Sequence, residues 1–142
     1  NCCLKLIGDG ELREAVERQA EALSIRDKVF FLGSQSNVHP FLREADLFLL
    51  PSKFEGMPMT IIEAMGTGLP IVATAVGGVP DMLTDMESGL LVSRQPEKVA
   101  EAVCKLLDSE TLRKTLGTNA RLSSKQFGAE HMARCYCDCY HK

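Results

Sequence analysis

No stretch of about 18 apolar residues occurs in the 142-residue chain, so nothing in it reads as a membrane-spanning helix. Basic charge is not in excess. Sixteen Lys and Arg against 19 Asp and Glu leave a net charge of −3, and with it no electrostatic reason to expect a nucleic-acid partner, a local basic patch aside. Neither a signal peptide nor an initiating Met opens the chain. Its first residues, "NCCLKLIGDG", read as a strand already under way, as expected of a piece cut from something longer. No internal repeat and no low-complexity linker interrupts the sequence. What is present, 45% apolar and 25% charged residues, is a globular composition, and the length suits one domain with a real core.

Six cysteines stand out: Cys2, Cys3, Cys104, Cys135, Cys137 and Cys139. Cys104 lies in "VAEAVCKLL", on an apolar helical pattern, and is expected to be a buried thiol. Cys135, Cys137 and Cys139 alternate in "ARCYCDCYHK", followed by His141. Metal ligands must converge, but a spacing of two on a helix sends neighbours to nearly opposite faces. Only Cys135 and Cys139 share a side. The expectation is a terminal helix with reduced thiols and no metal.

Along the chain, short apolar runs alternate with helical patterns. "CLKLIG", "KVFFLG", "DLFLLPS", "PIVATA" and "GLLVS" read as strands. Between and after them lie helices. "ELREAVERQAEAL" sets Leu12, Ala15, Val16, Ala20 and Leu23 on one side. "NVHPFLREA" is short, with Pro40 near its start, and "GGVPDMLT" is a turn leading into a short helix. "PEKVAEAVCKLLD" and "SETLRKTLGTNARLSSKQ" open on the helix starters Pro96 and Ser109. "GAEHMARCYCDCYHK" is the last helix. Strands without polar alternation, separated by helices, imply a doubly wound α/β domain with a parallel sheet. Such sheets bind ligands beyond the carboxyl ends of their strands, which places the segment after "DLFLLPS" on the binding edge.

That segment is "FEGMPMTIIEAMGTGLPIV". A helix is expected from about Pro58 to Met65, with Pro58 at its first position and Gly66 and Gly68 closing it. The free amides of Met59 and Thr60, with that of Met57 before them, then offer an anion site at the positive end of the helix dipole. Glu55 precedes the helix, and Glu63 lies one turn beyond Met59 on the same face. Carboxylates are strong acceptors for hydroxyl groups, so a ligand with hydroxyls on either side of a phosphate, a nucleotide sugar, fits the pattern. Helix chemistry alone leaves a second reading equally open. Acids near a helix N-terminus stabilise it by about 0.3–1 kcal/mol with no ligand at all.

The stretch "PSKFEGMPMTIIEAMGTGLPIVATAVGGVPDML…SGLLV" resembles the C-terminal domain of the GT-B retaining glycosyltransferases of family 4. The matching positions are Pro51-Ser52, Glu55 and Glu63 spaced as E-x7-E, Glu63-Ala64-Met65, Gly68, Pro70 to Thr74, Gly77-Gly78-Val79-Pro80-Asp81 and Gly89 to Val92. Asp81 replaces the usual Glu, and Pro58 stands where Gly is frequent. "LIGDGELRE" and "VFFLGSQSNVHPFLREADLFLLPS" match upstream segments of the family, so the resemblance covers nearly the whole chain.

The resemblance implies a Rossmann-like donor-binding domain over residues 1–142. Its first strand and helix, and the acceptor-binding N-terminal domain, would lie outside this sequence. It implies transfer of a sugar from a nucleotide-diphosphate sugar, with retention of configuration and with neither metal nor cofactor. Glu55, the implied catalytic residue, would bind hydroxyls of the donor sugar. Backbone at Gly56, Met57, Pro58, Met59 and Thr60 would hold sugar and diphosphate, Glu63 the ribose, and the turn at Gly33 and Ser34 would approach the base. Gly8 and Gly10 either turn the backbone at the ligand edge or simply end a strand. Gly77 and Gly78 are expected to make a tight turn before Pro80 rather than to touch ligand. The last helix either crosses to the N-terminal domain or docks on its own. A cytoplasmic protein is implied, with peripheral association at the inner face of the membrane as an option. The alternatives are a GT-B epimerase-like domain and a non-catalytic α/β binding module. A receiver-like signalling domain would need an acid at the end of the third strand, where Pro51-Ser52 stands.

Overall fold

A computed structural model of the chain describes residues 2–140. His141, considered above beside the cysteines, lies outside the described residues. The chain divides into two compact units, Asn1–Pro40 and Phe41–Lys142.

In the first unit, β1 (Leu4–Leu6) and β2 (Val29–Phe31) pair in parallel, from Leu4 beside Val29 to Leu6 beside Phe31. Parallel neighbours need a crossover, and α1 (Arg13–Ala22) with a 3-10 turn at Arg26–Lys28 provides it. Past the strand ends, the Gly8 amide donates to the Gly33 carbonyl at 2.8 Å, which ties the two exits together. Arg13 braces the first exit, donating to Glu17 at 3.0 Å and to Asp9 at 3.3 Å. Those bonds, the one to Glu17 foremost, hold its pKa above the ordinary value. The apolar side expected of α1 is mostly uncovered: Ala20 is buried, but Leu12 is 74% and Leu23 60% exposed. Two strands of three residues each offer too little sheet to cover a whole helix face.

After the short helix α2 (His39–Glu44), the second unit builds a three-stranded parallel sheet in the order β3-β4-β5. Its strands are Phe48–Leu50, Ile71–Thr74 and Leu90–Val92. β4 is central and every one of its residues is buried, which explains a run with no polar alternation. Helices α3 (Met59–Thr67), α4 (Val79–Met82), α5 (Pro96–Leu107), α6 (Glu110–Ser123) and α7 (Ala129–Tyr140) complete the unit, with a 3-10 turn at Ser124–Phe127.

The starting residues act as their chemistry requires. Pro96 is the first residue of α5, where its missing N–H would have had no partner. Ser109 caps α6, its hydroxyl accepting the Leu112 N–H at 3.2 Å. Val72 and Leu90 of the sheet pack with Ala102, Leu106 and Leu116 of the helices to form the core.

Two local expectations are corrected. α3 runs on through Gly66 to Thr67, and Gly68 alone ends it, with φ of +79°. There the chain needs the left-handed conformation that glycine adopts without cost, and the Gly68 amide donates back to Met65 at 2.9 Å. Cys104 is exposed, not buried, because α5 turns Ala102 and Leu106 inward and position 104 falls on the other side. No residue of α7 is buried.

Candidate functional site

The second unit brings two loops together at one sheet edge. β3 and β4 are parallel neighbours, with Leu50 beside Ala73 at their ends. The loops that follow, residues 51–58 and 75–78, therefore leave from the same side. Glu55 stands in the first loop and Gly77-Gly78 in the second. The Gly78 amide reaches the Glu55 carbonyl at 3.4 Å. The contact is closer still at Gly77, whose φ is +53°. A Cβ there would overlap the Glu55 carbonyl oxygen, and one on Gly78 would overlap that of Gly56. The glycine pair makes the tight turn expected before Pro80, and the reason it must be glycine is the backbone pressed against it.

Two further residues fix the first loop. The Ser52 hydroxyl donates to Glu55 Oε1 at 2.6 Å. Thr74, the last residue of β4 and 1% exposed, donates its own hydroxyl to the Ser52 carbonyl at 2.6 Å. Glu55 is half-buried, with one carboxylate oxygen engaged. None of these three supports, Ser52, Thr74 and the glycine pair, was expected to act on Glu55. The sequence holds one usable signal: a Ser three residues before a Glu in a loop is within reach of its carboxylate.

The helix start differs from expectation by one residue. Pro58 is the N-cap of α3, not its first helical position, with φ of −68° and ψ of 113°. Its carbonyl accepts the Ile61 N–H at 3.1 Å. The Met59 and Thr60 amides have no hydrogen-bond partner among the described residues, as the first amides of a helix do not by geometry. No side chain caps α3, and its first turn holds no acid. Neither acid lies in the first turn of α3: Glu55 is bonded to Ser52 on the loop before it, and Glu63 lies beyond that turn. Gly56, Met57, Met59 and Thr60 are exposed, Pro58 is buried, and Glu63, four residues past Met59 on α3, is half-buried. The arrangement offers two N–H donors at the positive end of a helix and an acceptor carboxylate on the loop before it.

Gly33 and Ser34 belong to the first unit, where they follow β2. Gly33 is half-buried against the Gly8 exit, and Ser34 is exposed. Gly8 thus ends its strand by pairing with Gly33, and Gly10 accepts the Arg13 amide at the turn into α1. Among the described residues no group of three or more His, Cys, Asp or Glu is placed to hold a metal ion. Cys135, Cys137 and Cys139 are exposed, and the Cys135 sulfur lies 3.5 Å from His131 Nε2.

Parallel strands with helical crossovers and a candidate anion-binding helix start at the carboxyl edge define an α/β domain of the nucleotide-binding type. The comparisons with known proteins narrow this class. The chain belongs to the glycosyl transferases group 1 family, whose model matches residues 1–123. It is 36% identical over 129 residues to an uncharacterized glycosyltransferase of Methanocaldococcus jannaschii, covering 89% of this chain and 36% of that protein. It is 35% identical over 140 residues to the N-acetyl-alpha-D-glucosaminyl L-malate synthase of Bacillus anthracis, covering 97% of this chain and 37% of that one. Its fold matches that of HepE from Anabaena, solved in complex with UDP, with a TM-score of 0.92 at 21% identity over 99% of this chain and 41% of that one. The fold is the α/β fold of the GT-B glycosyltransferases. The chain spans a little over a third of the length of these two curated relatives. Among the described residues no helix is long and apolar enough to cross a membrane.

Proposed function

We propose that residues 1–142 form the donor-binding part of a longer retaining glycosyltransferase of family 4. The complete protein would move a hexose from a nucleotide-diphosphate sugar to an acceptor in polysaccharide or glycan synthesis. The acceptor-binding domain, and the first strand and helix of the donor domain, lie outside this sequence. The protein works in the cytoplasm or at the inner face of the membrane, and needs no resident metal or cofactor.

The observation that carries this reading is the open helix start: two unpartnered amides, Met59 and Thr60, with no capping side chain and no acid in the first turn. A diphosphate answers those donors and the helix dipole. As the bond to the sugar breaks, negative charge grows on the diphosphate. The N–H dipoles of Gly56, Met57, Met59 and Thr60 stabilise that charge without having to reorganise. Glu55, on the preceding loop, accepts from hydroxyls of the donor sugar, and Glu63 from those of the ribose. The UDP in the Anabaena structure belongs to that protein, and it agrees with a diphosphate on this fold.

The test is a thermal-shift and calorimetric titration of the complete protein with UDP, GDP, ADP and their glucose adducts, followed by transfer assays. One nucleotide series should stabilise the protein, and Glu63→Ala should weaken that series at least about tenfold, the value of a hydrogen bond to a charged group. Transfer should need an acceptor and should keep the anomeric configuration of the donor. The 142-residue piece alone should transfer nothing. Absence of binding to every nucleotide tried would sink the reading. Conversion of the nucleotide sugar to an epimer without any acceptor would replace it with the epimerase alternative.

A further inference from the structure

We infer that Ser52, Thr74 and the Gly77-Gly78 turn are positioning residues that aim one carboxylate oxygen of Glu55 at the donor sugar. The inference rests on the donor-binding reading above and adds the groups that set its sugar contact.

A glutamate on an open loop has three rotatable side-chain bonds, and ordering it costs entropy at each binding event. Here that ordering is built in before any ligand arrives. Ser52 donates to Oε1 at 2.6 Å, the short distance of an O–H bonded to an ionised carboxylate. With Oε1 engaged by Ser52, Oε2 is the carboxylate oxygen left to accept from a ligand. Ser52 can do this only if its own backbone is fixed, and Thr74 fixes it from the next strand. The Thr74 hydroxyl gives its proton to the Ser52 carbonyl at 2.6 Å, with a longer approach of 3.4 Å to the Leu50 carbonyl. Thr74 is buried at the end of the central strand, the most enclosed of the three in the sheet, so the loop is referred to the core.

The glycine pair acts on the same residue from the other side. Side chains at Gly77 and Gly78 would overlap the carbonyl oxygens of Glu55 and Gly56. Those are backbone atoms, so the peptide itself would have to shift, and with it the direction of the Glu55 side chain. The turn between β4 and α4 is thus a stop against which the Glu55–Gly56 peptide rests.

The experiment uses the complete protein and the probes UDP, GDP, ADP and their glucose adducts, each titrated by calorimetry into wild type, Ser52→Ala, Ser52→Thr, Thr74→Val and Thr74→Ser. The quantity read is the affinity of the sugar adduct divided by that of its free diphosphate. Ser52→Ala should lower this ratio roughly tenfold, in keeping with a lost hydrogen bond to a charged group. Diphosphate affinity and melting temperature should stay nearly unchanged. Ser52→Thr, which keeps the hydroxyl, should recover most of the ratio, and Thr74→Ser should stay close to wild type where Thr74→Val falls. A merely structural role would move both affinities together and would not be rescued by Thr at position 52. Binding of a diphosphate with a ratio untouched by Ser52→Ala overturns the inference and leaves the donor-binding reading standing. No binding of any probe to wild type overturns both.

Discussion

Buried side-chain hydroxyls carry large consequences per atom. Thr74 is all but closed to solvent, and its hydroxyl is the donor to the Ser52 carbonyl. Thr74→Val keeps the shape and removes the donor, leaving that carbonyl without this partner. The expected cost is about 1–3 kcal/mol, read as a shift of the urea midpoint with an unchanged slope. Gly77→Ala is a different kind of lesion, because it inserts an atom where the Glu55 carbonyl already lies and requires φ of +53° from a residue with a Cβ. About 1–3 kcal/mol of overpacking strain is expected, checked by the same denaturation series. The sequence showed Glu55 and Glu63 and the glycine pair by type and spacing. It did not show that Ser52 and Thr74 serve Glu55, because they are 22 positions apart and meet only through the register of β3 on β4.

Helix starts and crossings act at the scale of elements. Ser109→Ala removes the one side-chain bond at the start of α6 and should cost roughly 1 kcal/mol, measured by chemical denaturation. Gly117 lies where α6 crosses the end of α3, and a Cβ on it would overlap the Gly68 carbonyl oxygen. The same series should therefore show a larger loss for Gly117→Ala than for Ser109→Ala.

The pair Glu110–Lys114, at 2.6 Å on the exposed side of α6, gives a pH signature instead. The hydrogen bond from Lys114 comes first among the causes that hold the Glu110 carboxyl below its ordinary 4.5. A folded pKa below the unfolded one means stabilisation that is present above 4.5 and is lost as pH falls through the folded value. Any difference in melting temperature between wild type and Lys114→Ala should thus be confined to the higher pH range. It should shrink with added salt, because both side chains are mostly exposed.

All strands and helices that the apolar pattern predicts are found, with boundaries among the described residues moved by up to three residues, the most at the end of α6, which passes into a 3-10 turn after Ser123. The moved ends at Pro58 and Gly68 are places where backbone angles, not composition, decide.

For the molecule as a whole, thiol exposure separates the sequence expectation from the structure most directly. The chain has six cysteines and all six are exposed and free, Cys104 included. A dithionitrobenzoate titration of the native, freshly reduced chain should therefore count about six thiols without denaturant. A buried Cys104 would leave one to appear only on unfolding.

By itself the sequence determined the class of fold, the order of the elements and the place of the candidate site. Those follow from local causes: apolar runs, helix starters, glycine ends and a motif contained within a few turns of chain. Only the tertiary structure decided which side of α5 faces the core, how little of α1 is covered, and which groups hold Glu55. Each of these depends on atoms brought together from distant positions by strand register and close backbone approach, and no local pattern of residues encodes that proximity.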